Sequence, residues 1–74
     1  MTIPASTIRR IIRETLGELS HAELLAVLLT YEEGMTEEEI AAVLGVRPGE
    51  AGTRKRAALR KIREAVNNAQ LVHA

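Results

Sequence analysis

The sequence predicts a small all-α protein of four helices, and three observations support that prediction. Of the 74 residues 46% are hydrophobic, yet Phe and Trp are absent and Tyr occurs once, so the core has to be built from Leu, Ile, Val and Ala. Leu and Ala, with Arg and Glu, favour helix, and no stretch alternates β-branched and polar residues as a half-buried strand does. Glycines and prolines divide the chain into four stretches in which apolar residues recur at helical spacing. We expect these stretches to form one domain over residues 1–74.

The first helix is predicted over about residues 5–16. Its start lies at Pro4, or at Ser6 acting as a cap, and Gly17 is the predicted stop. Four apolar residues fall at helical spacing on one side: Ile8, Ile11, Ile12 and Leu16. This pattern predicts an amphipathic helix that packs through a single face.

The second helix is predicted over about residues 21–33. Ser20 and Glu23 form a capping-box pattern at its start, and Gly34 suits its end because glycine tolerates the left-handed conformation. The leucines between them cover more than one face. We therefore expect this helix to be central and largely buried.

The third helix is predicted over residues 37–44. Thr36 and Glu39 repeat the capping box, and Gly45 is the predicted stop. The acidic triplet 37–39 occupies the first turn, where the helix dipole favours anions. The alternative interpretation is that the triplet repels DNA from that edge of the domain.

The fourth helix is predicted over about residues 48–70, with Pro48 at its first position. One side of it is small and aliphatic, and the other is polar and mostly cationic. The aliphatic line consists of Ala51, Ala58, Ile62 and Ala69, and the polar line of Thr53, Arg56, Arg60 and Arg63. Lys55 lies beside the aliphatic line, where two interpretations stay open: its stem lies on the core with the amine in water, or the domain opens there to meet a partner.

The third and fourth helices, joined by a glycine-containing turn, form a helix-turn-helix pattern, in which the second helix enters the major groove of DNA. The distribution of charge supports this interpretation. Residues 1–46 hold three arginines and eight glutamates, a net charge of −5. Residues 47–74 hold seven Arg or Lys and two glutamates, a net charge of +5. A local basic segment matters more for nucleic-acid binding than the overall charge, which is zero. A solvated helix face is the alternative explanation of the basic run 54–56.

The stretch from Tyr31 to Gly49, YEEGMTEEEIAAVLGVRPG, resembles region 4 of sigma-70 factors. The pattern of that family has a Tyr, a Gly three residues later, a Ser or Thr, Glu-Ile-Ala and Leu-Gly-Val. The segment 58–63, ALRKIR, resembles the part that closes the same helix in housekeeping sigma factors. The resemblance covers about residues 19–66, and it places the base-reading positions of the family at Pro48, Gly49, Gly52 and Thr53.

The resemblance implies a double-stranded DNA-binding transcriptional regulator, with RNA polymerase or a regulatory protein as a further partner. We expect phosphate contacts from the cations, base contacts from Thr53, Arg56 and Glu50, and open access at the glycines. The candidate DNA-binding residues are Arg47, Gly49, Glu50, Gly52, Thr53, Arg54, Lys55, Arg56 and Arg60. The alternative is a protein-interaction module that binds RNA polymerase, a sigma factor or another regulator through the Leu-rich second helix or the tail.

The tail, residues 67–74, extends past the resemblance. Its apolar residues either cap the core of their own chain or pair with a second copy as a homodimer. For the function of the whole protein, a mainly structural oligomer is a third hypothesis. No Cys or Asp occurs, and the two histidines lack neighbouring ligands at metal spacing, so we expect no enzyme activity, no cofactor and no metal. Without a membrane-length apolar run or a secretory signal, the expected location is cytoplasmic.

Overall fold

The computed structural model of the protein describes residues 3–73, and the surroundings of side chains up to residue 69. Within that range the chain forms four helices and no strand, which confirms the predicted all-α class. The helices are α1 (Ala5–Glu18), α2 (His21–Tyr31), α3 (Glu37–Leu44) and α4 (Pro48–His73). No helix in the described range is both long and apolar enough to cross a bilayer.

The long helix α4, and not α2, is the central element of the fold. α4 packs against each of the other three helices. Its 26 residues, at about 1.5 Å each, run nearly the full 42 Å length of the molecule. The expectation that α2 is largely buried is supported, because no residue from 22 to 30 is exposed, although its leucines are only half-buried.

The core consists of two small clusters along α4. The first joins α2, α3 and the start of α4 through Ala26, Ile40, Ala41 and Ala51. The second joins the end of α1 and α2 to the middle of α4 through Leu19, Val27 and Ala58. Alanine at four of these seven positions lets the helices approach closely, so α3 is held at a fixed position against the first turns of α4.

The predicted start of α1 at about residue 5 is confirmed, whereas its predicted cap at Ser6 and its predicted end at residue 16 are wrong. Pro4 occupies the cap position and no side chain caps this helix. The carbonyl of Pro4 accepts hydrogen bonds from the amides of Thr7 and Ile8 at 3.0 and 3.1 Å. The helix continues through Gly17 to Glu18 and ends where Leu19 becomes extended, because that conformation inserts the Leu19 side chain into the second cluster.

The end of α2 also differs, since the helix stops at Tyr31 and not at residue 33. Gly34 does adopt a positive φ of 64°, but it lies in the following turn. There the amide of Met35 donates to the carbonyl of Leu29 at 3.0 Å, and the Met35 side chain packs on the first cluster. The need to bury Met35 therefore ends the helix earlier than the glycine alone would.

The last helix extends to His73, three residues past its predicted end. Ala65, Val66 and Ala69 are half-buried on its aliphatic side. The side chains of Leu71 and Val72 lie outside the described residues, so the two alternatives for the tail stay open.

Candidate nucleic-acid interface

The start of α3 is fixed by its own sequence. The Thr36 hydroxyl accepts a hydrogen bond from the amide of Glu39 at 3.2 Å, and the Glu39 carboxylate accepts one from the amide of Thr36 at 3.0 Å. These bonds satisfy two amides that would otherwise lack helical partners. The capping box predicted for α3 is thereby confirmed, as is the one at Ser20 and Glu23 of α2.

A tight turn connects α3 to α4. Gly45 has a φ of 71°, a left-handed conformation that costs other residues about 1–2 kcal/mol. The next amide, of Val46, donates back to the carbonyl of Ala41 at 3.0 Å, and the Val46 side chain packs on the first cluster. The carbonyl of Arg47 then accepts from the amides of Glu50 and Ala51, which starts α4 at Pro48. This turn sets the relative placement of the two helices.

One side of α4 forms an exposed line that we name the α4 stripe. It consists of Gly49, Thr53, Arg56, Arg60 and Arg63, all exposed and spaced three or four residues apart. The Thr53 hydroxyl donates to the carbonyl of Gly49 at 2.9 Å, which leaves its oxygen free to accept another hydrogen bond. The opposite side carries the buried Ala51 and Ala58. The stripe is thus cationic, exposed and supported from behind by the core.

The basic run 54–56 does not act as one patch. At about 100° per residue, Arg54 and Arg56 point to nearly opposite sides of the helix. Both are exposed, but only Arg56 belongs to the α4 stripe. Lys55, between them, turns toward α3, where its amine lies 3.4 Å from the Glu37 carboxylate. Its side chain is 24% exposed. This agrees with the interpretation that the stem lies on the core, but the amine ends beside a carboxylate of its own chain.

Gly52 does not lie on the exposed side of α4, where it was expected to leave the approach to DNA open. It is buried, and a Cβ at this position would lie 2.8 Å from both carboxylate oxygens of Glu37. Its missing side chain therefore makes room for Glu37 of α3. The interpretation that a glycine keeps the approach unobstructed applies to Gly49. A Cβ at Gly49 would meet no neighbouring side chain or other helix within 4 Å.

The structure brings most of the predicted residues to the same end of the molecule. Those exposed there are Arg47, Gly49, Glu50, Thr53, Arg54, Arg56 and Arg60. Two further residues were missing from the predicted set. Arg63 continues the spacing of the α4 stripe, and that spacing was a sufficient signal to find it. Glu37 carries no such signal, because its importance depends on a contact between α3 and α4.

A second ion pair lies farther along α4. The Lys61 amine is 2.9 Å from Oε1 of Glu23, and the same oxygen accepts the amide of Ser20 at 2.9 Å. These two bonds, the one from Ser20 first, lower the pKa of Glu23 from 4.5 to about 2. Lys61 is thereby committed to holding α2, whereas the arginines of the α4 stripe remain available for a ligand.

A short helix, a glycine turn and a second helix with an exposed cationic side define a DNA-binding domain of the helix-turn-helix class. The family model described as sigma-70, region 4 matches residues 9–62, more than half of the chain, and the chain belongs to this family. This confirms the resemblance found in the sequence. Domains of the family bind DNA and RNA polymerase and have transcription-related roles. No curated protein matches the chain.

Proposed function

We propose that the protein is a double-stranded DNA-binding transcriptional regulator that inserts the first half of α4 into the major groove. In this proposal Arg47, Arg56, Arg60 and Arg63 contact phosphates, whereas Arg54 points away from the α4 stripe and is not among them. Thr53 and Arg56 contact base edges, with Glu50 at the margin of the groove. The protein acts by binding, without catalysis.

The observation that carries the proposal is the position of the α4 stripe. A helix that enters a groove needs an exposed side with cations for phosphates and short residues near its start for close approach. Gly49 and Thr53 are short, and Arg56 and Arg60 follow at one-turn intervals on the same exposed side. The cations of this side are free for phosphate because Arg56 is the only one of the stripe near a carboxylate in the described residues, at 3.8 Å and with its side chain 65% exposed.

The test is a salt titration of binding to a fluorescent duplex of random sequence. If four phosphates are neutralised, the logarithm of the affinity should fall against the logarithm of the salt concentration with a slope of about −3.6. The double variant Arg56→Ala and Arg60→Ala should reduce that slope to about −1.8, because two of the four contacts are lost. Both side chains are exposed, so the variant should fold.

The matched control is Arg9→Ala with Arg10→Ala, which removes the same charge from the exposed side of α1. It should keep a slope close to that of the wild type. Equal slopes for the two double variants would remove the assignment of the α4 stripe, and binding without any salt dependence would contradict phosphate contact altogether.

A second candidate function is a protein-interaction module for RNA polymerase, a sigma factor or another regulator. The specific observation in its favour is exposed apolar surface, since Tyr31 at the end of α2 is 64% exposed and Val43 on α3 is 58% exposed. A protein that binds no duplex at low salt but co-purifies with RNA polymerase would support this candidate over DNA binding. A homodimer through residues 67–74 stays a prediction.

A further inference from the structure

Glu37 is the first residue of α3, and its carboxylate lies at the junction of the two helices of the helix-turn-helix. Oε1 is 3.4 Å from the Lys55 amine and 3.8 Å from Nη1 of Arg56. Both cations belong to the helix proposed to enter the groove. The first helix of such a motif crosses the DNA backbone, so this junction is also the side from which a phosphate would approach.

The space that the carboxylate occupies exists because α4 has no side chain at Gly52. Both carboxylate oxygens lie 2.8 Å from the position of a Cβ there, closer than side chains normally pack. With any other residue at position 52, the Glu37 carboxylate would have to lie elsewhere. Gly52 and Glu37 therefore form one feature, a notch in α4 and the anion that fills it.

This ion pair is suited to exchange. The side chains of Glu37 and Lys55 are 38% and 24% exposed, and such partly exposed pairs contribute little to stability. A phosphate offers Lys55 the same chemistry as the carboxylate, an anionic oxygen that accepts its hydrogen bonds. DNA therefore has to compete with Glu37 for this lysine.

We propose that Glu37 is a built-in competitor of DNA phosphate, which holds Lys55 against α3 and lowers the affinity of the domain for any duplex. The inference rests on the proposed function and deepens it. In it, Lys55 is a fifth cation that is withheld from phosphate, beside the four that the proposed function assigns to that role. Such a competitor weakens sequence-independent binding, because it acts on a phosphate contact and on no base.

The direct test is Glu37→Gln, compared with the wild type in the same salt titration. Releasing Lys55 should add one phosphate contact and steepen the slope by about 0.9, from about −3.6 to about −4.5. Between 50 and 200 mM salt, that difference changes the affinity ratio of variant to wild type about 3.5-fold. We expect binding about tenfold tighter than wild type at 50 mM and about threefold tighter at 200 mM.

The control is Glu38→Gln, the same substitution one residue later. Glu38 is exposed and lies in the same first turn of α3, so the loss of charge and of helix-dipole stabilisation is matched. It should change the affinity less than about twofold and leave the slope unchanged. If both variants tighten binding equally, or if Glu37→Gln leaves the slope unchanged, general repulsion explains the effect and the competitor role is wrong.

A second variant should also release Lys55 from Glu37, without the substitution of an acidic residue. Gly52→Ala fills the notch and should move the Glu37 carboxylate away from Lys55, while alanine also favours the helix. We expect a higher melting temperature together with a steeper salt slope, and no additional gain when Glu37→Gln is combined with it. Weaker DNA binding by this variant would contradict the proposal, since the methyl group faces α3 and not solvent.

The outcomes separate this inference from the proposed function. If the wild type binds duplex with salt dependence and Glu37→Gln behaves like Glu38→Gln, the competitor role alone fails. If neither the wild type nor Glu37→Gln binds duplex at 50 mM salt, both fail. Binding by Glu37→Gln where the wild type shows none would support both.

Discussion

Two glutamates connect α4 to the helices that precede it, and their surroundings differ. Glu23 faces the second half of α4, with its side chain 7% exposed and its oxygen 2.9 Å from Lys61. Glu37 faces the first half, with its side chain 38% exposed and its contacts at 3.4 and 3.8 Å. The pair with the buried carboxylate and the short bond is suited to hold the fold together, whereas the pair with the partly exposed carboxylate and the longer contacts is suited to be exchanged for a ligand.

The largest effect that the comparison predicts is on stability. Glu23→Ala removes both a capping hydrogen bond and the bond to Lys61, and should lower the free energy of unfolding by about 2 kcal/mol. In a domain of this size that corresponds to a melting temperature about 10 °C lower, measurable by circular dichroism. Glu37→Ala should cost no more than about 0.5 kcal/mol.

Glu39→Ala separates the capping contribution from the burial of Glu23. Glu39 occupies the same position in the capping box of α3 but is exposed, so its loss should cost about 0.5 kcal/mol. Equal losses for Glu23→Ala and Glu39→Ala would contradict a special role for the buried Glu23 carboxylate and its bond to Lys61.

A further effect is expected from acid. Because the pKa of Glu23 is lowered from 4.5 to about 2 in the folded protein, the carboxylate stabilises the fold fully above pH 4.5. That contribution is lost as the pH falls from about 4.5 toward 2. Stability should therefore decline less steeply over this range for Glu23→Gln than for the wild type, in unfolding experiments at each pH.

The titration of the Glu23 carboxyl carbon by NMR measures the same pKa directly. Its midpoint should lie near 2 in the wild type and should rise in Lys61→Met, which removes the amine. A wild-type midpoint near 4.5 would show that the hydrogen bonds of Ser20 and Lys61 do not favour the charged form.

The sequence predicted what depends on neighbouring residues. Both capping boxes and the span of α3 were predicted correctly, because a Ser or Thr with a Glu three residues later forms a self-contained unit. The start of α4 at Pro48 and the spacing of the α4 stripe follow equally from local pattern.

What depends on packing between helices was not predicted. α1 runs through Gly17 because Leu19 has to reach the second cluster. The contact of Glu37 with Gly52 joins two helices across the turn, and the contact of Glu23 with Lys61 spans 38 residues of chain. A run of basic residues likewise suggests one patch until the helix directs Arg54 and Arg56 to different sides.

The most direct test of the central claim is the change in backbone amide NMR shifts when a random-sequence duplex is added. The account predicts that the largest changes occur from Arg47 to Arg63, at the turn and the α4 stripe, with little change on the exposed side of α1. Changes concentrated in α1 and α2, with those residues of α4 unaffected, would contradict it.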